Sequence, residues 1–121
     1  MFKEVFIFPG VACSVNKMYF QQGRRRVLTK DYRDYKETIK KIIGFKRLPP
    51  VINEVKIKLV YFQPDNRKRD IDNIIKPILD GITQSGYWAD DSIVIKVTAE
   101  KKPPHIFPRV VCTIEGIEKN V

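Results

Sequence analysis

Along residues 53–62 (NEVKIKLVYF) apolar and polar positions alternate without a break. Val55, Ile57, Leu59 and Tyr61 share one face and Lys56 and Lys58 the other, which predicts a strand buried on one side. After a charged stretch the period changes. Ile71, Ile74, Ile75, Ile78, Leu79 and Ile82 recur at three- and four-residue steps. That is the stripe of an amphipathic helix over about 71–85, with Gly86 as its stop. Pro77 interrupts the stripe. A helix starting at Ile71 would be kinked there, whereas one starting nearer Ile74 tolerates the ring.

A second helix is predicted over 30–44. Tyr32, Tyr35, Ile39, Ile42 and Ile43 form its apolar face, Lys36, Lys40 and Lys41 lie opposite, and Gly44 suits the C-cap. Further strands are predicted at 3–8 (KEVFIF, closed by Pro9-Gly10), 92–102 (SIVIKVTAEKK) and 107–117 (FPRVVCTIEGI), with Pro103-Pro104 as a turn. Residues 47–50 (RLPP) break the chain and 87–91 (YWADD) read as a loop. Residues 11–29 have no sustained period. With Arg24, Arg25 and Arg26 beside Gly23, they read as a long loop or ribbon, a candidate mobile basic arm. The order β-(arm)-α-β-α-β-β implies one α+β domain spanning 1–121: two layers, a mixed or antiparallel sheet, and two helices on one face.

Composition narrows the partners. The 121 residues hold 23 Lys and Arg against 14 Asp and Glu, a net charge of +9. That excess favours an anionic polymer, nucleic acid first and membrane surface second. No transmembrane span or signal peptide is legible, so a cytoplasmic location is expected. Cys13 and Cys112 are far apart in sequence and read as reduced thiols of an intracellular protein. One histidine, His105, argues against zinc hydrolases and His-based triads.

The candidate chemistry lies where strand gives way to helix, in DNRKRDIDNIIKPILDG (65–81). Asp70 and Asp72 have a purely local explanation: Asp70 as N-cap and Asp72 as a first-turn acid facing the helix dipole. They also suit a cation. Side chains two residues apart diverge on a helix and converge on extended or turning backbone, which this junction supplies. Asn73 adds an oxygen, and Arg67, Lys68, Arg69 and Lys76 would draw in a phosphate. Lys76 lies one turn past Asp72, as a surface ion pair or as a cation for the scissile phosphate. Asp90-Asp91 is either a solvated turn that caps nothing or the source of a third carboxylate. Three aspartates can hold one or two Mg²⁺ ions for an in-line displacement. Reach is the difficulty. A straight helix over 71–85 is about 21 Å long, and residues 86–91 span at most roughly 20 Å. Asp91 returns to Asp70 only if the helix is short or bent, the loop runs back along it, or a second subunit completes the site.

These residues bring a resemblance into view. The chain resembles the RusA family of Holliday-junction resolvases over essentially its full length. The likeness rests on RKRDIDNIIKPILDGI (67–82) and SGYWADD (85–91), with a weaker SVNKMYF (14–20). The family usually has Pro-Pro-Ser or similar before the Asn, where this chain has PGVACSVN. The resemblance implies a homodimeric, Mg²⁺-dependent endonuclease, with Mn²⁺ as a substitute, that nicks four-way DNA junctions symmetrically in recombination and repair. It implies Asp70, Asp72 and Asp91 as catalytic metal ligands and Lys76 as the catalytic lysine, and it leaves Asp90 and Asn73 without a role. Asn16, Lys17, Arg24, Arg25, Arg26, Arg67, Lys68 and Arg69 are the candidate DNA contacts, joined by Lys36, Lys40 and Lys41 as a basic surface for phosphates. Members encoded in prophages make a bacterial or phage-derived, nucleoid-associated protein the expected setting.

Three other readings compete. A non-catalytic, structure-selective DNA-binding protein would keep the scaffold without the chemistry. A phosphatase or nucleotidyl-sugar transferase would need a Gly-rich phosphate loop, and none is visible. An RNA-binding module would stack bases on Tyr19, Phe20, Tyr61 and Phe62, of which the last two read more simply as core.

Overall fold

The computed structural model describes residues 2–15 and 19–118. Strand β1 spans Phe2–Pro9, β2 Tyr19–Gln22 and β3 Arg25–Leu28, followed by helix α1 over Lys30–Ile43 and β4 over Ile52–Phe62. A 3₁₀ turn at Ile71–Ile74 leads into α2, Ile75–Gln84. A second 3₁₀ turn, Asp91–Ile93, precedes β5 (Val94–Lys102), and β6 covers Arg109–Glu118. Four strands form one sheet in the order β1-β6-β4-β5, while β2 and β3 pair as a separate hairpin. The sheet is mixed: β6 is antiparallel to β1 and β4, and β4 is parallel to β5. The parallel pair follows from the helical crossover through α2, which carries the chain back to the end of the sheet where β4 began.

Alternation sorts the two faces. Phe6 and Phe8, Val55 through Tyr61 at every second position, and Val110, Cys112 and Ile114 are buried. Tyr32, Tyr35, Ile39 and Ile43 of α1 and Ile78 and Ile82 of α2 are buried with them, in one core. Each such side chain contributes about 1.5–3 kcal/mol of transfer free energy. The two helices run in the same sense, since Tyr32 meets Asp80 and Lys36 meets Gln84 one turn further along both. They pack tightly at Gly81, where an added Cβ would stand 2.7 Å from Ile39 Cδ1. The buried thiols Cys13 and Cys112 form no disulfide, and burial pushes Cys112 up to about 12. Among the described residues no helix is long and apolar enough to cross a membrane.

One end of the sheet collects the ends of β1, β4 and β5 and the start of β6. Segments 10–14, 63–70 and 103–108 leave from that end. Segments 44–51 and 85–93 lie at the other, tied together by a Leu48 N–H to Tyr87 carbonyl bond of 2.9 Å.

The structure sharpens the sequence reading in three places. Residues 19–28 of the unpatterned stretch form a hairpin turned at Gly23-Arg24, with Gly23 at φ 62°. The helix predicted over 71–85 opens as a 3₁₀ turn, so Pro77 is the third residue of α2. There its missing N–H removes no helical bond, and the ring requires no kink. The last strand starts at Arg109, because residues 103–108 form a fixed loop.

Candidate functional site

The segment before Asp70 is organised by Asp65. Its carboxylate pairs with the Arg69 guanidinium at 2.8 Å and accepts the Arg67 N–H at 3.0 Å. The Arg69 bond, followed by the Arg67 N–H, holds Asp65 below the usual carboxylate range. Lys101 of β5 donates its ammonium to the Arg69 carbonyl at 2.6 Å, which moors the loop to the sheet. Arg67 and Lys68 remain exposed, whereas Arg69 is half-buried. The three cations thus divide into one that builds the loop and two that face outward.

Asp70 has extended backbone, φ −80° and ψ 124°, and its side chain makes no capping bond. Its carbonyl accepts the Asn73 N–H at 3.1 Å, which closes the 3₁₀ turn. Asp72 is exposed within that turn. No bond within the described chain engages the carboxylate of Asp70 or Asp72. The capping explanation for Asp70 therefore fails, and two hard oxygen donors stand free on turning backbone. That donor set fits a Mg²⁺ ion that keeps several waters. Asp70 and Asn73 also line a groove of about 950 Å³ between residues 9–14, the first half of α1 and the 64–70 loop.

Lys76 does not pair with Asp72. Its ammonium lies 3.3 Å from Asp80, which also accepts the Tyr32 hydroxyl at 3.0 Å. Burial first, and then the bond to Asp80, raise the Tyr32 phenol above its ordinary range. Tyr32 and Asp80 are a sequence-level omission. The i,i+4 spacing of Lys76 and Asp80 was the available signal for one, and nothing in the sequence pointed to the other.

Asp91 stands apart. Val94 pairs with Val55 and Lys102 with Phe62, so β5 begins at the far end of the sheet. Seven residues of strand separate the two ends, about 23 Å. The 3₁₀ turn at 71–74 packs against β5, and the one at 91–93 against β4 and α2. Neither a bend at Pro77 nor a returning loop brings Asp91 to Asp70. Among the described residues no three of Asp, Glu, His and Cys converge to hold one metal ion. Asp90 caps its turn by accepting the Ser92 N–H at 3.0 Å, so this acidic pair does not lie in a turn that caps nothing.

The remaining cations are scattered. Arg24, Arg25 and Arg26 are exposed on the hairpin, and Arg26 lies 4.4 Å from the Tyr19 ring centroid. Lys36 is drawn into the helix seam, 2.8 Å from Gln84 Oε1 and 4.7 Å from the Tyr32 ring centroid. Lys40 and Lys41 sit in the last turn of α1, where the helix dipole favours cations. Asn16 and Lys17 lie outside the described residues. Tyr61 is core, with its hydroxyl accepting the Ala12 N–H at 3.2 Å, which removes it as a base-stacking ring.

The family model for Endodeoxyribonuclease RusA matches residues 9–115. The chain belongs to the RusA endodeoxyribonuclease family. Its relatives include the crossover junction endodeoxyribonuclease rusA of Enterobacteria phage 82 and those of Shigella sonnei (strain Ss046) and Escherichia coli (strain K12). Each is 31% identical over 90 residues, which covers 73% of this chain and 75% of the relative. The RusA match contains the whole 65–81 segment and both acidic pairs.

Proposed function

We propose that this RusA-family chain is a Mg²⁺-dependent endonuclease that resolves four-way DNA junctions by paired, symmetric nicks. It acts as a homodimer in the cytoplasm of a bacterium, in recombination and repair of host or phage-derived DNA. The observation that carries this reading is the unengaged carboxylate pair at the head of α2, beside exposed Arg67 and Lys68 and above a groove, in a family named for endodeoxyribonuclease activity.

Asp70 and Asp72 would hold the Mg²⁺, with Mn²⁺ as a substitute. When bound there, the ion would supply an acidified water and neutralise phosphate charge. The chain's own residues do the rest. Arg67 and Lys68 draw the backbone toward the carboxylates. Asp80, fixed by Tyr32, holds the Lys76 ammonium one turn from Asp72, where it balances charge on the departing oxygen.

Asp91 enters from a second copy. β5 is an edge strand of the sheet, and a two-fold mate lying antiparallel along it would set a second Asp91 beside this chain's Asp70. The same symmetry matches the paired scissile phosphates of a junction.

An end-labelled four-way junction, incubated with Mg²⁺ or with chelator, tests the reading. Two nicks at symmetric positions are expected with Mg²⁺ alone. Asp70→Asn should lower the rate by at least about a hundredfold while junction binding persists. Binding without cutting in either Mg²⁺ or Mn²⁺ would instead mark a non-catalytic junction-binding protein.

A further inference from the structure

The loop between β5 and β6 shows two large apolar side chains to solvent: Ile106 is 83% and Phe107 68% exposed. The loop is not slack. His105 N–H donates to the Gln63 carbonyl at 2.9 Å, and Phe107 N–H to His105 Nδ1 at 2.9 Å. Arg109 donates to the Phe107 carbonyl at 2.9 Å, and its guanidinium lies 4.0 Å from the Phe62 ring centroid. Gly10 N–H reaches the Pro108 carbonyl at 2.8 Å. A stiff backbone therefore carries two side chains that the fold leaves uncovered.

Its position gives that arrangement a use. The loop leaves the same end of the sheet as Asp70, and Lys101 at its foot bonds the Arg69 carbonyl. Cations around an apolar tip suit a partner that offers phosphates and flat uncharged faces together. Nucleic acid does so where base stacking is interrupted. Continuous duplex hides its base faces, whereas a four-way junction presents them at the branch point.

We propose that Phe107, backed by Ile106, stacks on an open base pair at the branch point and so positions the scissile phosphate against Asp70. The proposal rests on the junction-cutting reading and adds to it a positioning element that selects junctions over duplex.

Affinity for a junction and for duplex of equal length is measured in Ca²⁺ with the full chain. Phe107→Ala with Ile106→Ala should lower the junction-to-duplex affinity ratio roughly ten- to one-hundredfold with duplex affinity unchanged, and Phe107→Trp should restore it. The emission of that added Trp should fall on binding junction and stay constant with duplex. An unchanged ratio would overturn the proposal. So would loss of the dimer in light scattering, or wild-type binding to anionic vesicles that the double variant lacks; these point to a subunit or membrane contact. If wild type cuts junctions while the ratio is unmoved, only this proposal fails. If wild type neither binds nor cuts junctions, the functional reading fails with it.

Discussion

At the scale of single residues, Asp70 separates position from role. It occupies the N-cap position of its turn and yet caps nothing. Asp70→Asn should therefore change unfolding free energy by less than about 0.5 kcal/mol. Thr29→Ala removes a real cap, the 3.2 Å bond from Tyr32 N–H, and should destabilise by about 1 kcal/mol in the same urea titration. A clear loss of stability in Asp70→Asn would return that residue to a structural role. Asp65 behaves differently. Its folded-state pKa is depressed by Arg69 and the Arg67 N–H, so its contribution is present above its unfolded pKa and lost as pH falls through the folded value. The stability gap between wild type and Asp65→Asn should be widest near neutrality and close in acid. A gap that persists at pH 2 would contradict this. The motif made Asp70, Asp72 and Asn73 legible as a group. It could not show which cations were engaged: Arg69's bond to Asp65 depends on the path of the loop before the 3₁₀ turn, and Lys76 had acids one turn away on both sides, Asp72 and Asp80.

At the scale of elements, the hydrophobic periods located both helices and four strands to within a few residues. Alternation and the isoleucine stripe are signals the core itself imposes. Two things escaped them. The first turn before α2 is 3₁₀, and a stripe of isoleucines fits either geometry over four residues; Pro77 was the clue that favoured the later start. The parallel pairing of β4 with β5 was also undecided, since edge and centre strands read alike in one sequence. Gly81 likewise reveals its purpose only in three dimensions. Gly81→Ala gains up to about 1 kcal/mol of helix propensity. It must also push aside Ile39, whose Cδ1 would lie 2.7 Å from the new carbon. Overpacking of this kind costs about 1–3 kcal/mol, so net destabilisation is expected by denaturant melt. A neutral or stabilised variant would show that α1 and α2 do not approach so closely.

At the scale of the molecule, the cationic loop, the carboxylate pair and the apolar tip gather at one end of the sheet, while Asp91 lies at the other. The sequence set out the distance problem and three solutions to it. The start of β5 at the far end of the sheet removes the two that act within one chain, and the proposed site shared by two copies is the third. No pattern within one chain encodes that sharing, because its evidence is the failure of one chain to close the site. One measurement bears on it most directly. Asp70→Asn and Asp91→Asn chains, each inactive alone, are mixed under conditions that exchange subunits, with different tags to prove the exchange. Every heterodimer then holds one complete carboxylate set and one doubly crippled set. Mg²⁺-dependent nicking of a single strand per junction is the predicted result. A mixture that exchanges fully and cuts nothing would contradict a shared site.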